Sequence, residues 1–314
     1  MNSKLTENGN YSQPKRGKWI ITVVILIMIF LGIAYLAVGA YAAGEVTKIG
    51  DHPQYTDTPA TFGLTYEEVT ISPRGENLQL AAWYIPSVES SQAVILVHGR
   101  DASKQNAISG KIVELSSALY DAGFAVLTID MRGHGESEGD RYSFGVYERY
   151  DVLGALDFLI AKGYKPANIG ILGISMGGGA AMGAVSIEPG IGALVLDSTF
   201  ADLNPLIEEQ WENESGMPMF VLPAVYLMNR LIYGYDMTDI QPVEDLEKYA
   251  PGPVVILHCK VDDMVGMWHP ETLLTVVPNA ETTYFDDCEH AELFRDYPEE
   301  YKALVIPFFV QNLE

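Results

Sequence analysis

Residues 93–97, AVILV, are apolar at five consecutive positions, and similar unbroken runs return at 124–130 (FAVLTID), 169–174 (IGILGI), 193–197 (ALVLD) and 253–259 (PVVILHC). Runs without polar alternation belong to strands covered on both faces, as in a parallel sheet. Between them, 108–123 (ISGKIVELSSALYDAG), 149–164 (RYDVLGALDFLIAKGY) and 298–313 (PEEYKALVIPFFVQNL) space their apolar residues as amphipathic helices do. Two β-type runs precede them, 66–72 (YEEVTIS) and 78–86 (LQLAAWYIP), joined by the turn PRGEN, and 282–286 (TTYFD) follows as a last strand. The pattern predicts an α/β fold: a mostly parallel twisted sheet with helices on both faces and an antiparallel hairpin at one edge.

Two stretches depart from this rhythm. Residues 19–44, WIITVVILIMIFLGIAYLAVGAYAAG, carry no charge and no polar face, and are long enough to cross a bilayer. Lys4, Lys15, Arg16 and Lys18 precede them against Glu7 alone, a bias that keeps the N-terminus cytoplasmic and places the rest of the chain outside. The alternative is a secretory signal cleaved after the small residues of Ala40-Tyr41-Ala42. The organisation expected is a cytoplasmic tail (1–18), a single-pass signal anchor (19–43), a polar linker (44–64) and one domain (65–314). No motif lies before residue 44, so removing 1–43 is expected to leave the domain complete. The second departure is the long interval between Asp197 and Pro253, where 203–216 (LNPLIEEQWENESG) and 223–236 (PAVYLMNRLIYGYD) read as one acidic and one apolar helix.

Charge narrows the choice of partner. With 42 acidic and 19 basic residues the chain carries a formal net charge of −23, which repels nucleic acid and anionic headgroups. The bulk is otherwise that of a soluble domain, and two cysteines, Cys259 and Cys288, are too few for a disulfide scaffold or a metal site.

The candidate chemistry sits where strands end, the place at which open α/β sheets gather reactive groups. His98-Gly99-Arg100 follows one strand, Asp130-Met131-Arg132 the next, and Asp262-Asp263 a later one. Ser175 stands between 169–174 and the small-residue helix 176–187 (MGGGAAMGAVSI). Gly173-x-Ser175-x-Gly177 is the spacing of a nucleophile elbow, in which small neighbours let a tight strand-to-helix turn expose the hydroxyl. A serine needs a base, and the base an orienting acid. Of six histidines, His52 lies in the linker. His98 and His134 are placed to brace loops, and His258 ends a buried strand. His269 and His290 alone follow the acid region, and His290, in the loop after the last strand, is the better placed. Asp262 and Asp263 are the acid candidates, with Asp197 behind them and Asp286 and Asp287 further off.

These motifs together resemble the α/β-hydrolase superfamily, nearest to its serine-aminopeptidase-like and dienelactone-hydrolase-like esterase branches, over about residues 65–312. The resemblance rests on VILVHGR, IDMRGHGESEG, GISMGG, LHCKVDDMV and CEHAELF. Its H-G-x-x-D-x-x-V pattern falls on His258 to Val265 and so selects Asp262. Its C-terminal G-H falls on Glu289-His290. Cys259 and Glu289 stand where glycine is frequent.

The resemblance implies a Ser175–Asp262–His290 triad acting on a small-molecule acyl substrate, with ester hydrolysis first and peptide, amide or thioester cleavage as alternatives. The Arg100 and Met176 backbone N–H groups would form the oxyanion hole, and no metal or organic cofactor is required. It also makes about 198–250 a cap, with Trp211, Met219, Phe220 and Tyr226 as candidate substrate contacts and Met217, Met228 and Tyr233 beside them. A catalytically silent fold acting as a binding protein, and transferase- or haloperoxidase-type chemistry on the same triad, are the rival classes. In this fold the strands ending near Cys259 and Cys288 are expected to be neighbours. An exported domain could then bond the two cysteines, and an unbonded pair would act as small buried hydrophobes.

Overall fold

The computed structural model describes residues 16–50, 53–87 and 90–314, with side chains from residue 18. His52, Lys4, Glu7 and Lys15 lie outside the described residues. In chain order the elements begin with α1 (Arg16–Val46), β1 (Glu67–Ile71), β2 (Leu80–Ile85), β3 (Ala93–Val97), α2 (Ile112–Asp121) and β4 (Ala125–Ile129). They continue with α3 (Glu148–Ala161), β5 (Ile169–Ile174), α4 (Met176–Ile187), β6 (Ala193–Asp197), α5 (Leu203–Ser215) and α6 (Leu222–Tyr233). The last are α7 (Pro242–Tyr249), β7 (Val254–Cys259), α8 (Trp268–Val276), β8 (Glu281–Phe285), α9 (Leu293–Asp296) and α10 (Pro298–Asn312).

The eight strands form one sheet in the order β1-β2-β4-β3-β5-β6-β7-β8. β1 and β2 pair antiparallel, β2 runs antiparallel to β4, and every pair from β4 to β8 is parallel. The apolar runs of the sequence are these parallel strands: β3, β4, β5, β6 and β7 are buried at every position. On one face, α3, α4, α7 and α8 contribute Leu156, Ala181, Leu246 and Leu273 to the core. On the other, α2 and α10 contribute Leu115, Leu119, Tyr301 and Phe309. This is the α/β-hydrolase fold.

Two boundaries differ from those expected. The cap is shorter than 198–250. Among its three helices, α7 lies against the core, with Leu246 and Tyr249 buried, and serves as the crossover between the parallel strands β6 and β7. A parallel pair requires such a connection, and the cap proper is α5 and α6. The second difference concerns the N-terminal helix, which runs unbroken through residues 44–46 and docks on that cap. Ala42 and Ala43 are buried with Trp211, Val221, Leu222 and Val225. At Gly39 an added Cβ would come within 2.6 Å of the Ala224 Cβ, so only glycine permits this approach. Arg141 donates to the Gly44 carbonyl at 2.9 Å and Tyr142 to the Val46 carbonyl at 2.7 Å. Residues 44–46 are therefore part of the folded domain rather than linker.

Candidate active site

The turn from β5 into α4 answers why Ser175 is set among glycines. Ser175 has φ 51° and ψ −118°, a left-handed conformation that side chains other than glycine seldom adopt. Its neighbours must let the strand, the turn and the helix close on one another. A Cβ on Gly173 would lie 2.6 Å from the Gly177 carbonyl, one on Gly177 would strike the carbonyls of Val97 and His98, and one on Gly178 would strike Thr199. Glycine at 173, 177 and 178 is thus a packing requirement of the elbow. The Ser175 backbone N–H donates to the Asp197 carbonyl at 2.8 Å, tying the elbow to β6.

Three side chains from three strand ends meet there. His290 Nε2 lies 2.9 Å from Ser175 Oγ, and His290 Nδ1 lies 2.7 Å from Asp262 Oδ2. The other carboxylate oxygen, Asp262 Oδ1, accepts from the backbone N–H groups of Met264 at 3.0 Å and Val265 at 2.8 Å. Burial pushes the Asp262 carboxyl up, but the His290 hydrogen bond and charge, with the Val265 N–H, outweigh it and hold the group below the usual carboxylate range. An ionised Asp262 fixes the imidazole with its proton on Nδ1 and its lone pair on Nε2, facing Ser175. Asp263 turns away, its carbonyl accepting from Gln210.

The remaining candidates have other partners. Asp197 accepts from Ser198 at 2.9 Å and from Tyr301 at 3.0 Å, and burial raises its carboxyl to about 6. Ser198 Oγ in turn accepts from the Ala291 N–H at 3.3 Å, so Asp197 steadies the loop that carries His290. His269 Nδ1 accepts from the Ala201 N–H, and burial lowers its pKa to about 3. His258 Nε2–H donates to the Val265 carbonyl at 2.8 Å, behind the acid loop. His98 Nε2 accepts from the Met131 N–H and His134 Nε2 from the Asp101 N–H. Asp286 pairs with Lys260.

A cavity of about 320 Å³ opens over Ser175. Arg100 and Met176 both line it, and Met176 is the first residue of α4, where a backbone N–H has no acceptor within the helix. The Arg100 side chain turns to the cap and pairs with Glu214 at 3.1 Å. The apolar walls are Ile108, Phe144, Phe200, Leu206, Met264 and Val265. The sequence reading missed all of these. Phe200, Met264 and Val265 follow strand ends closely, the one signal that could have found them.

The expected cap contacts are not among the lining residues. Trp211 is buried against α1, Met219 and Phe220 are exposed, and Tyr226 packs into the α1–cap cluster beside Met217, Met228 and Tyr233. Trp211 and Met217 also line a neighbouring cavity, and the apolarity of the others serves the contact of cap with α1 or faces outward. Among the described residues, no group of three or more His, Cys, Asp or Glu side chains is arranged to hold a metal ion.

Behind Asp262 and His290, the Cys259 and Cys288 sulfurs lie 2.12 Å apart, with Cα atoms separated by 5.8 Å. The bond joins the end of β7, three residues before Asp262, to the loop two residues before His290. It closes a loop of 29 residues, worth about 3–4 kcal/mol of restricted unfolded-chain entropy. Reduction, or Cys288→Ser, is expected to lower kcat by about 10- to 100-fold while the fold persists, because small displacements of a base are costly. Ester turnover before and after reduction checks this, with thiol counting by mass to show that the bond has opened.

Comparison with known proteins places the site in context. The serine aminopeptidase, S33, family matches residues 88–244. A Bacillus subtilis protein, YqkD, is 25% identical over 256 residues, covering 80% of this chain and 82% of its own. The lysophosphatidylserine lipase ABHD12 of Macaca fascicularis is 29% identical over 72% of this chain, which spans 52% of the relative's length. The Pyrococcus furiosus esterase Pf2001 superposes with a TM-score of 0.69 at 22% identity, covering 85% of this chain and 100% of that structure.

Proposed function

We propose that this chain, which belongs to the serine aminopeptidase S33 family of hydrolases, cleaves carboxylic esters through an acyl-enzyme intermediate formed on Ser175. The observation that carries this reading is the continuous hydrogen-bonded chain from Ser175 through His290 to Asp262. In the first half-reaction Ser175 Oγ attacks the acyl carbonyl while His290 Nε2 takes its proton. The backbone N–H groups of Arg100 and Met176 receive the oxyanion, and His290 then delivers the proton to the departing alcohol. Water, deprotonated by His290, attacks the acyl-serine and releases the acid. Asp262 holds the imidazole and stabilises its charged form throughout.

An ester fits the cavity better than an N-terminal peptide. The two carboxylates lining it, Asp101 and Glu292, already face Arg100 and Arg295, each at 3.5 Å. A substrate ammonium would compete with these arginines for the carboxylates. The rest of the wall is largely aliphatic and aromatic, with Asn106 and Ser109 among it.

The helix α1 supports a membrane-anchored reading, since Lys18–Val46 is long and apolar enough to cross a bilayer. The excess of basic residues before it supports a topology with the catalytic domain outside the cytoplasm. The Cys259–Cys288 bond supports the same side, where oxidising conditions maintain disulfides.

A fluorophosphonate probe tests the nucleophile, and a series of p-nitrophenyl esters of increasing acyl length tests the substrate class. We expect Ser175 to be the labelled residue and esters to be turned over faster than amino-acid p-nitroanilides. A protein that takes up no probe, or that prefers the anilides, refutes the reading.

A further inference from the structure

The cap presents an apolar surface that the catalytic reading leaves unused. Residues 217–234 contain no acid and a single base, Arg230, in a chain with 42 acids. On this segment Phe220 is 69% exposed, Leu227 46%, Leu231 68% and Ile232 50%. Leu227 and Leu231 lie four residues apart on α6, and Phe220 stands in the 3-10 turn Met219–Val221 that leads into it. Such a patch on a soluble domain is an interaction surface, and its position in the fold identifies what covers it.

That position is set by α1. Tyr35 donates to the Phe220 carbonyl at 2.7 Å, Gly39 packs on Ala224, and Gly44 lies beside the Tyr233 hydroxyl. The two helices therefore run side by side in the same direction, with Phe220 at the end nearer the middle of α1. Counting from Lys18, a hydrocarbon core of about 30 Å takes up roughly the next 20 residues of a helix held near the membrane normal, ending near Val38. Tyr35, and with it Phe220, then falls about 5 Å inside the lipid, and Gly39 and Ala224 fall at its edge. Arg230, near the other end of α6, is left at the level of the headgroups.

A second cavity, of about 420 Å³, lies at this same end of the molecule. Tyr41, Ala42 and Glu45 of α1 line it together with Trp211. It shares Arg100, Phe144, Leu206 and Met264 with the cavity over Ser175. The two cavities thus adjoin across these residues, one over the nucleophile and the other at the last turns of α1, just above the lipid edge.

We propose that the cap is a membrane-inserting element: the Phe220 end of α6 sits in the outer leaflet beside α1, and the cavity below Trp211 brings a bilayer-resident acyl ester to Ser175. The proposal rests on the anchored-hydrolase reading above and adds the source of the substrate. Apolar contact with the acyl chains offsets the exposure of Phe220, while Leu227 and Leu231 continue the apolar surface into the interfacial layer beyond the lipid edge. The arginine stem lies along the same surface with its charge among the phosphates.

The test uses the full chain in phosphatidylcholine vesicles, with and without lipid brominated on its acyl chains. Phe220→Trp is expected to add blue-shifted emission that brominated lipid reduces at least twofold, whereas Ile187→Trp, on the exposed end of α4, adds emission that it leaves unchanged. In the same vesicles, the double variant Leu227→Ser, Leu231→Ser is expected to hydrolyse a vesicle-borne long-chain ester at least fivefold more slowly. Its rate on a short water-soluble ester should stay as in the parent. Emission from Trp at 220 that brominated lipid does not touch, as in a face covered by another protein copy, overturns the proposal. So do vesicle and soluble rates that fall together or both hold. Fluorophosphonate labelling of Ser175 and alkaline carbonate extraction, run on the same samples, report separately on the catalytic and anchoring readings.

Discussion

Ser175→Ala is expected to lower kcat for a p-nitrophenyl ester by about 10⁴- to 10⁶-fold and to abolish fluorophosphonate labelling, with thermal stability nearly unchanged. His290→Ala should cost as much, because nucleophile and base act as a unit and either loss leaves only binding and the oxyanion donors. Asp262→Asn should cost about 10³- to 10⁴-fold. The asparagine amide cannot both accept the His290 proton and stabilise the imidazolium, so the ring loses the tautomer that presents Nε2 to Ser175. Asp197→Asn is the informative contrast. Asp197 reaches Ser198 and Tyr301 but not His290. Its carboxyl, raised to about 6 by burial, holds its proton more tightly folded than unfolded, so native stability falls as pH rises from about 4 to 6 and is flat above. An asparagine stays neutral across that window, and the expected loss of activity is small. Rate measurements on purified variants of matched thermal stability decide the matter. If Asp197→Asn proves the more damaging substitution, the acid is misassigned.

How far the sequence reached depended on the kind of signal each residue left. Buried parallel strands leave unbroken apolar runs, and β3 to β7 stand where those runs were read. Ser175 was legible because the elbow demands glycine at 173 and 177, a steric requirement written directly into residue type. Asp262 and His290 were not separable from Asp263 and His269 by residue chemistry with the same firmness, and the resemblance made that choice. The cap was misread because methionines and aromatics announce an apolar environment without saying whose. Trp211 and Tyr226 meet α1, while the Phe220 side chain faces outward. A signal for that contact existed in Gly39, Ala42, Ala43 and Val46, small residues at helical spacing on the last turns of the apolar segment. It was hidden inside a run that is hydrophobic all round. The pattern of a spanning helix gives no polar face from which a packed face could be told apart.

That contact changes what truncation should do. A chain beginning near residue 34 keeps the docked turns of α1 and is expected to remain folded and active on a soluble ester. A chain beginning at Thr47 loses Gly39, Ala42, Ala43 and Val46 from the cap, together with the Arg141 and Tyr142 hydrogen bonds to the end of the helix. Trp211 at 2% exposure, Leu222 at 3% and Val225 at 0% would then face water along one side. Uncovering part of these side chains costs on the order of 3–6 kcal/mol. For a domain of this size each kcal/mol moves Tm by about 2–4 °C, which predicts a fall of about 6–24 °C. The loss should reach catalysis as well as stability, since α5 carries Leu206 into the Ser175 cavity and Glu214 against Arg100. Differential scanning fluorimetry and ester turnover on the two truncated chains, in the same mild detergent, measure both effects. Equal Tm and equal kcat for the two chains would show that the last turns of α1 only tether the domain and do not help to build it.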